Sequence, residues 1–156
     1  GEERHAARIA RTIVASRQRA PIASVLELVA LVRRGAGGRG SGRIHPATRI
    51  FQALRLATNS ELQNFQSALP DLVDLLAPAG RLAVISWHSL EDRIVKNWWR
   101  AESRTCVCPP ELPLCRCQHQ PRVRIVNKKV ITPGVTEIKH NPRARSAKLR
   151  IAEKIT

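Results

Sequence analysis

The sequence predicts an α/β fold with only part of its sheet present, and three features carry that reading. Residues 81–96 read RLAVISWHSLEDRIVK: an apolar run, Leu82 to Ile85, ends in the polar cluster Ser86-Trp87-His88-Ser89. A helix then starts with Ser89 as N-cap and Asp92 three residues on, the capping-box pattern. Second, residues 46–69 carry one apolar stripe at helical spacing. Third, strand patterns recur near residues 81–86, 122–131 and 148–151 among several helices. A strand running into a capped helix places polar side chains where ligands sit in open α/β sheets. The chain therefore reads as part of an α/β enzyme with its site near His88 and Ser89. Three strands are too few for a doubly wound sheet. Yet Leu82–Ile85 is apolar throughout, the signature of a strand buried on both faces. Its missing neighbours are expected upstream of Gly1 or in another chain.

The elements follow in order. Residues 2–18 are expected to form a helix, with Ile9, Ile13 and Val14 in one stripe and Arg4, Arg8, Arg11 and Arg17 around it. Ala20-Pro21 breaks it, and Ile22–Val32 is a second helix begun by Ser24. Residues 35–42, GAGGRGSG, read as a flexible linker. Their glycines mimic a dinucleotide loop, but that loop needs a helix directly after it, and Arg43-Ile44-His45-Pro46 intervenes. Pro46 opens the longest helix, whose stripe is Phe51, Leu54, Leu62, Phe65 and Leu69. Asp71–Leu76 is a short helical piece, and Pro78-Ala79-Gly80 a turn. After the strand at 81–86, the helix at 90–102 buries Leu90, Ile94, Val95, Trp98 and Trp99. Residues 104–121 are an irregular loop rich in Cys and Pro. Val123 and Ile125 alternate with arginines as a strand, which Val130-Ile131 extends after a turn, and Lys148–Ile151 is the last strand.

Composition bounds the function. The 156 residues suffice for one domain with a sizeable core, and no run approaches the 18 apolar residues of a membrane span. No signal peptide is recognised. The chain starts at Gly1, already in an amphipathic pattern, and is expected to be a piece of a longer protein. The net charge of +15 is segregated. Residues 1–50 carry ten Arg/Lys against three acids, residues 51–100 five against five, and residues 101–156 twelve against four. Two basic blocks around a neutral, apolar centre point to a polyanion partner, most simply nucleic acid.

Four groups of side chains could carry chemistry. Ser86, His88 and Ser89 lie at the C-terminal end of the central strand; alternatively Ser89 only caps and His88 only bonds to backbone. His45, Arg49, Gln52 and Arg55 follow an i, i+4, i+7, i+10 pattern beside a helix N-terminus, able to hold phosphate or a base edge, or to form a solvated face. Arg143, Arg145 and Lys148 cluster before the last strand as a phosphate clamp or a plain surface cluster. Arg43 and Arg93 join this RNA-binding set. Cys106, Cys108, Cys115 and Cys117 make C-x-C-x6-C-x-C, in which each pair points one way along an extended chain. The pattern suits a tetrahedral zinc site, two disulfides, or four thiols.

Three blocks together resemble one family. They are Gly42–Arg55 (GRIHPATRIFQALR), Val84–Lys96 (VISWHSLEDRIVK) and Asn141–Arg150 (NPRARSAKLR). They are similar to the S-adenosylmethionine-dependent methyltransferases that modify cytosine N4 in small-subunit (16S) ribosomal RNA. Gly1-Glu2-Glu3-Arg4 and the Cys loop fit the same family, so the resemblance covers nearly the whole chain. It implies a Rossmann-like methyltransferase domain interrupted by a small helical domain. Residues 1–69 would be that helical insertion, binding RNA, and residues 70–156 the C-terminal part of the Rossmann-like sheet. The family's glycine-rich cofactor loop and ribose-binding acid lie in its N-terminal half, and nothing here matches them. No S-adenosylmethionine-binding residue is therefore assigned, and the fragment is expected to be inactive alone. Two departures are Ala79 where a second Gly is usual, and Trp87 where Phe is usual.

The resemblance further implies small-subunit rRNA or the assembled small subunit as partner, no membrane, and the missing N-terminal half or a partner chain to complete the site. The expected compartment is the cytoplasm, with mitochondrion or plastid as the alternative. Cytosine N4 is a poor nucleophile, since its lone pair is conjugated with the ring. The enzyme must orient the amine, accept its N–H bonds and hold the base out of its stack. Two rival readings stay open: a non-catalytic RNA-binding or ribosome-associated protein derived from that family, and a zinc-stabilised interaction module built on the Cys loop.

Overall fold

The computed structural model describes residues 2–38, 45–109, 114 and 116–155. The chain divides into two compact units, Gly1–Glu61 and Leu62–Thr156. Among the described residues no helix is long and apolar enough to cross a membrane.

The first unit is helical: α1 (Ala6–Arg17), α2 (Val25–Gly35) and α3 (Pro46–Thr58). Helix α1 starts later than residue 2, because Glu3 turns back on the chain and takes the His5 amide on its side chain and the Ala6 amide on its carbonyl. Ser24 caps α2 as expected, accepting from the Glu27 amide at 3.1 Å. The core is Ile9, Val32, Ala36 and Ala47, with Ile13, Leu28 and Phe51 packed on it. The reading of 35–42 as linker is corrected at its start. Gly35 is the last residue of α2, and a Cβ there would lie 2.7 Å from Ile9 Cα. Gly35 is thus what lets α1 and α2 touch, and the Arg8 guanidinium donates to its carbonyl. Residues 39–42 of the linker lie outside the described residues. The apolar run feeding the glycines is helix, so the dinucleotide-loop pattern has no strand to start from.

The expected single helix over 46–69 is two helices. Helix α3 ends at Thr58, Asn59 is its C-cap, and Ser60 has φ of +51°. Helix α4 (Glu61–Asp74) then begins. The polar run Thr58-Asn59-Ser60 bonds readily to local backbone and favours a break. The apolar spacing across it happens to stay helical, so periodicity alone conceals it. Conversely, α4 runs through Pro70 to Asp74 and absorbs the first part of the piece expected at 71–76. Pro70 has no amide to bond the carbonyl four residues back. Burial of Leu69 and Val73 on the same stripe outweighs that loss. The division between the units falls between Glu61 and Leu62.

The second unit adds β1 (Arg81–Ser86), α5 (Ser89–Glu102), β2 (Val123–Ile125), α6 (Val135–His140), a 3-10 turn (Pro142–Ser146) and β3 (Lys148–Lys154). The sheet is antiparallel, in the order β1-β3-β2. Ile131 adds one bridge to Leu149 where a strand extension was expected. The core is Val73, Val95, Trp99, Val123 and Ala152, with Phe65, Leu82 and Val84 packed against it. The α/β expectation thus holds as a small three-stranded sheet with helices. The expectation that β1 is buried on both faces does not hold among the described residues. Leu82 and Val84 pack inward, while Ala83 and Ile85 are exposed, Ile85 by 51%. Beside them Glu153 on β3 pairs with Arg81 on β1 and Arg124 on β2, linking all three strands. The Arg81 and Arg124 hydrogen bonds hold its carboxyl below the usual range.

Candidate functional site

The C-terminal end of β1 turns into α5 through Ser86-Trp87-His88. The expected capping box is present one residue upstream of its predicted place. His88, not Ser89, is the N-cap, and its partner is Glu91, not Asp92. His88 Nδ1 accepts from the Glu91 amide at 3.4 Å. Glu91 Oε2 accepts from the amides of Trp87 at 3.0 Å and His88 at 3.4 Å. Since Nδ1 accepts, the neutral ring carries its proton on Nε2. That nitrogen lies 3.1 Å from Glu91 Oε1, close enough to pair but not aligned as a hydrogen bond. Nδ1 is thus committed to the cap, while Nε2 is buried and has no hydrogen-bond partner among the described residues. Ser89 is the first residue of α5.

This double cap fixes the backbone of Trp87 and leaves the residue 55% exposed. Ser86 is buried and faces the core side with Leu82 and Val84. Its partner across the β1–β3 ladder is Lys148. One turn into α5, Asp92 is buried and bonded bidentately by Arg150, Nε to Oδ1 at 2.7 Å and Nη2 to Oδ2 at 3.2 Å. Lys148 Nζ lies 3.5 Å from the same carboxylate. Burial pushes the Asp92 carboxyl up, but the Arg150 hydrogen bond and the charges of Arg150 and Lys148 more than offset it, so its pKa is lowered. Lys148 is therefore engaged and half-buried, whereas Arg143 and Arg145 in the 3-10 turn are exposed. Arg93 is exposed on α5.

In the first unit His45 is the N-cap of α3, its Nδ1 accepting from the Ala47 amide at 3.1 Å. Arg33 Nε lies 3.1 Å from the other ring nitrogen. A neutral imidazole has one accepting nitrogen, so the cap and the Arg33 contact compete for it. Arg49 pairs with Glu3 at 3.4 Å, and Arg55 grips Glu61 through two bonds of 2.8 and 3.1 Å. Gln52 is half-buried between them in sequence. The i, i+4, i+7, i+10 row is thus on α3, but two of its charges are matched within the unit. Arg43 lies outside the described residues.

Of the four cysteines, Cys106, Cys108 and Cys117 come together, their sulfurs within 4.8 Å of one another. Cys115 lies outside the described residues.

The model of the MraW methylase family matches residues 1–155. The chain belongs to the MraW methylase family. It is 54% identical over 155 residues to a protein of Dehalococcoides mccartyi named ribosomal RNA small subunit methyltransferase H, covering 99% of this chain and 43% of that protein. The proteins of that name from Thermomicrobium roseum and Heliobacterium mobile are 54% and 52% identical, again over 99% of this chain, which covers 47% and 50% of theirs. The chain thus spans about half the length of the curated relatives it matches.

The structure adds three residues to the neighbourhood of this turn. Trp87 is in the polar cluster after the strand, and an aromatic at that place is itself a signal. Glu91, three residues after His88, is visible once His88 is admitted as a cap. Arg150 has no local signal, because its partner Asp92 is 58 residues away in sequence.

Proposed function

We propose that this chain is part of an S-adenosylmethionine-dependent methyltransferase that modifies cytosine N4 in small-subunit ribosomal RNA, and that it does not turn over alone. The match to methylases along residues 1–155 is the observation that carries this reading. The local geometry supports it. A base undergoing chemistry must leave its stack and find a replacement surface. An exposed tryptophan on a doubly capped turn supplies one. His88 and Glu91 hold that turn, and Arg143 and Arg145 supply exposed positive charge on the same unit for the phosphate backbone, with Lys148 beside them shared with Asp92.

The residues present do not by themselves fit S-adenosylmethionine. Its ribose hydroxyls call for an uncommitted carboxylate at a strand end. Here Glu91 accepts two amides and Asp92 is bound to Arg150. No step is therefore routed through the cofactor, whose site belongs to the rest of the protein. In the same reading the sheet continues into a Rossmann-like one. The open edge of β1 and the exposed Ala83 and Ile85 suit further strands and a covering layer. The helical unit would be the RNA-binding insertion. The commitment of both carboxylates is also what favours the second reading, a non-catalytic rRNA-binding protein.

The test is Trp87→Ala in the full-length protein containing this chain. Loss of one base stack is worth roughly 1–3 kcal/mol. Methyl transfer to small subunits should therefore fall about tenfold or more, with the melting temperature nearly unchanged. Unaltered transfer would remove Trp87 from the site. Absence of any methyl transfer by the unmutated full-length protein would leave the second reading.

A further inference from the structure

The stretch between α5 and β2 shows no apolar core among its described residues. Among its described residues no hydrophobic side chain is buried, and Val107 and Leu114 are exposed. Its base is closed by the Arg122 amide bonding the Glu102 carbonyl at 2.8 Å. With no helix or strand among the described residues of this stretch, some other tie is needed to keep one shape.

The three cysteines supply the means. Cys106 and Cys117 sulfurs are 3.8 Å apart. Tetrahedral zinc with Zn–S bonds of about 2.3 Å sets its thiolates about 3.8 Å apart along each edge. A disulfide would require about 2.0 Å. Each sulfur also accepts a backbone amide: Cys106 from Cys108 and Cys108 from Arg116, both at 3.4 Å, and Cys117 from Val107 at 3.5 Å. Amides directed at sulfur orient it as a ligand. Among the described residues no carboxylate belongs to the group, and an all-sulfur set selects zinc over magnesium or calcium. Arg104 and Arg116, in the same stretch, offset the negative charge the thiolates would bring.

We propose that Cys106, Cys108 and Cys117 bind a structural zinc ion that clasps the loop between α5 and β2. The ion takes no part in the reaction, and the proposal does not rest on the methyltransferase reading. Binding releases the thiol protons and needs no oxidant.

The test is metal analysis of this chain, purified without a polyhistidine tag under reducing, chelator-free conditions. About one zinc per chain is expected, as for a structural thiolate site. Cobalt titrated into the metal-stripped chain should give thiolate-to-cobalt charge-transfer absorption and the strong visible bands of tetrahedral coordination. Cys106→Ser and Cys117→Ser should each abolish both signals. Should those variants fail to fold, the cobalt titration of the unmutated chain decides alone. Zinc below about one-tenth per chain together with no cobalt charge-transfer band would overturn the proposal, given how tightly such sites bind. Full zinc in both serine variants, or a metal-free chain lighter by two hydrogens from a Cys106–Cys117 disulfide, would overturn it equally.

Discussion

Replacing Asp92 with alanine should destabilise the second unit by about 3 kcal/mol, the low end for breaking a buried ion pair. The figure follows from what is left behind. Asp92 and Arg150 have side chains only 12% and 13% exposed, joined by bonds of 2.7 and 3.2 Å. Asp92→Ala strands the Arg150 guanidinium between helix and sheet, with Lys148 nearby to repel it. Residual solvent access keeps the cost from the upper end. In a unit of this size, 3 kcal/mol lowers the melting temperature by more than about 10 °C. Urea unfolding followed by tryptophan emission, with Trp98 and Trp99 on α5 as reporters, measures it.

The pair itself is worth less than its rupture, since burial of Asp92 is the largest single influence on its ionisation and opposes the charge. Asp92→Leu combined with Arg150→Met should therefore recover most of the loss. The pH dependence has a definite sign. The folded-state pKa of Asp92 is depressed, so its contribution is complete above the ordinary carboxylate range and disappears as pH falls through the folded value. The gap between Asp92→Ala and the unmutated chain should be constant near neutrality and close in acid. A loss below about 1 kcal/mol, or a double variant no more stable than the single, would refute the picture of a buried charge left unpaired.

Other outcomes follow from the same geometry. His88→Ala should cost about 1 kcal/mol through loss of the α5 cap, while His88→Asn should restore most of it. If methylation by the full-length protein recovers with asparagine too, His88 acts by position; recovery of stability without activity would give its ring a chemical role. Ala79 sits at φ of +62°, so Ala79→Gly should raise stability by about 0.5–1 kcal/mol, read as an upward shift in melting temperature. If the proposed RNA-binding role holds, Arg143→Ala with Arg145→Ala should lower the salt dependence of rRNA binding by about two phosphate contacts. Arg49→Ala with Arg55→Ala should lower it less, because those charges are already paired with Glu3 and Glu61.

Local signals were legible where short-range chemistry decides the outcome. Ser24 capping α2, Pro46 opening α3 and the strand 81–86 running into a helix all depend on neighbours a few residues apart. The same signals misplaced boundaries where two local choices are nearly equal. Ser89 and His88 can both cap, and the tie goes to His88 because Glu91 then bonds two amides rather than one. Ser60 breaks a helix whose apolar spacing continues across the break. Pro70 fails to break one because Leu69 and Val73 are buried on its stripe. Gly35 looks like linker until Ile9 is seen against it.

By itself, the sequence determined the α/β class, the segregation of positive charge, the family, and the strand-to-helix turn that carries the candidate site. Those properties are sums over neighbours or exact local patterns, which the chain writes down directly. Only the tertiary structure decided which charges are spent. Asp92 meets Arg150, Arg49 meets Glu3, and three sulfurs converge across a loop. Each depends on chain segments far apart in sequence being brought within a few ångströms by the burial of apolar surface. Helical or strand periodicity holds no record of that partner.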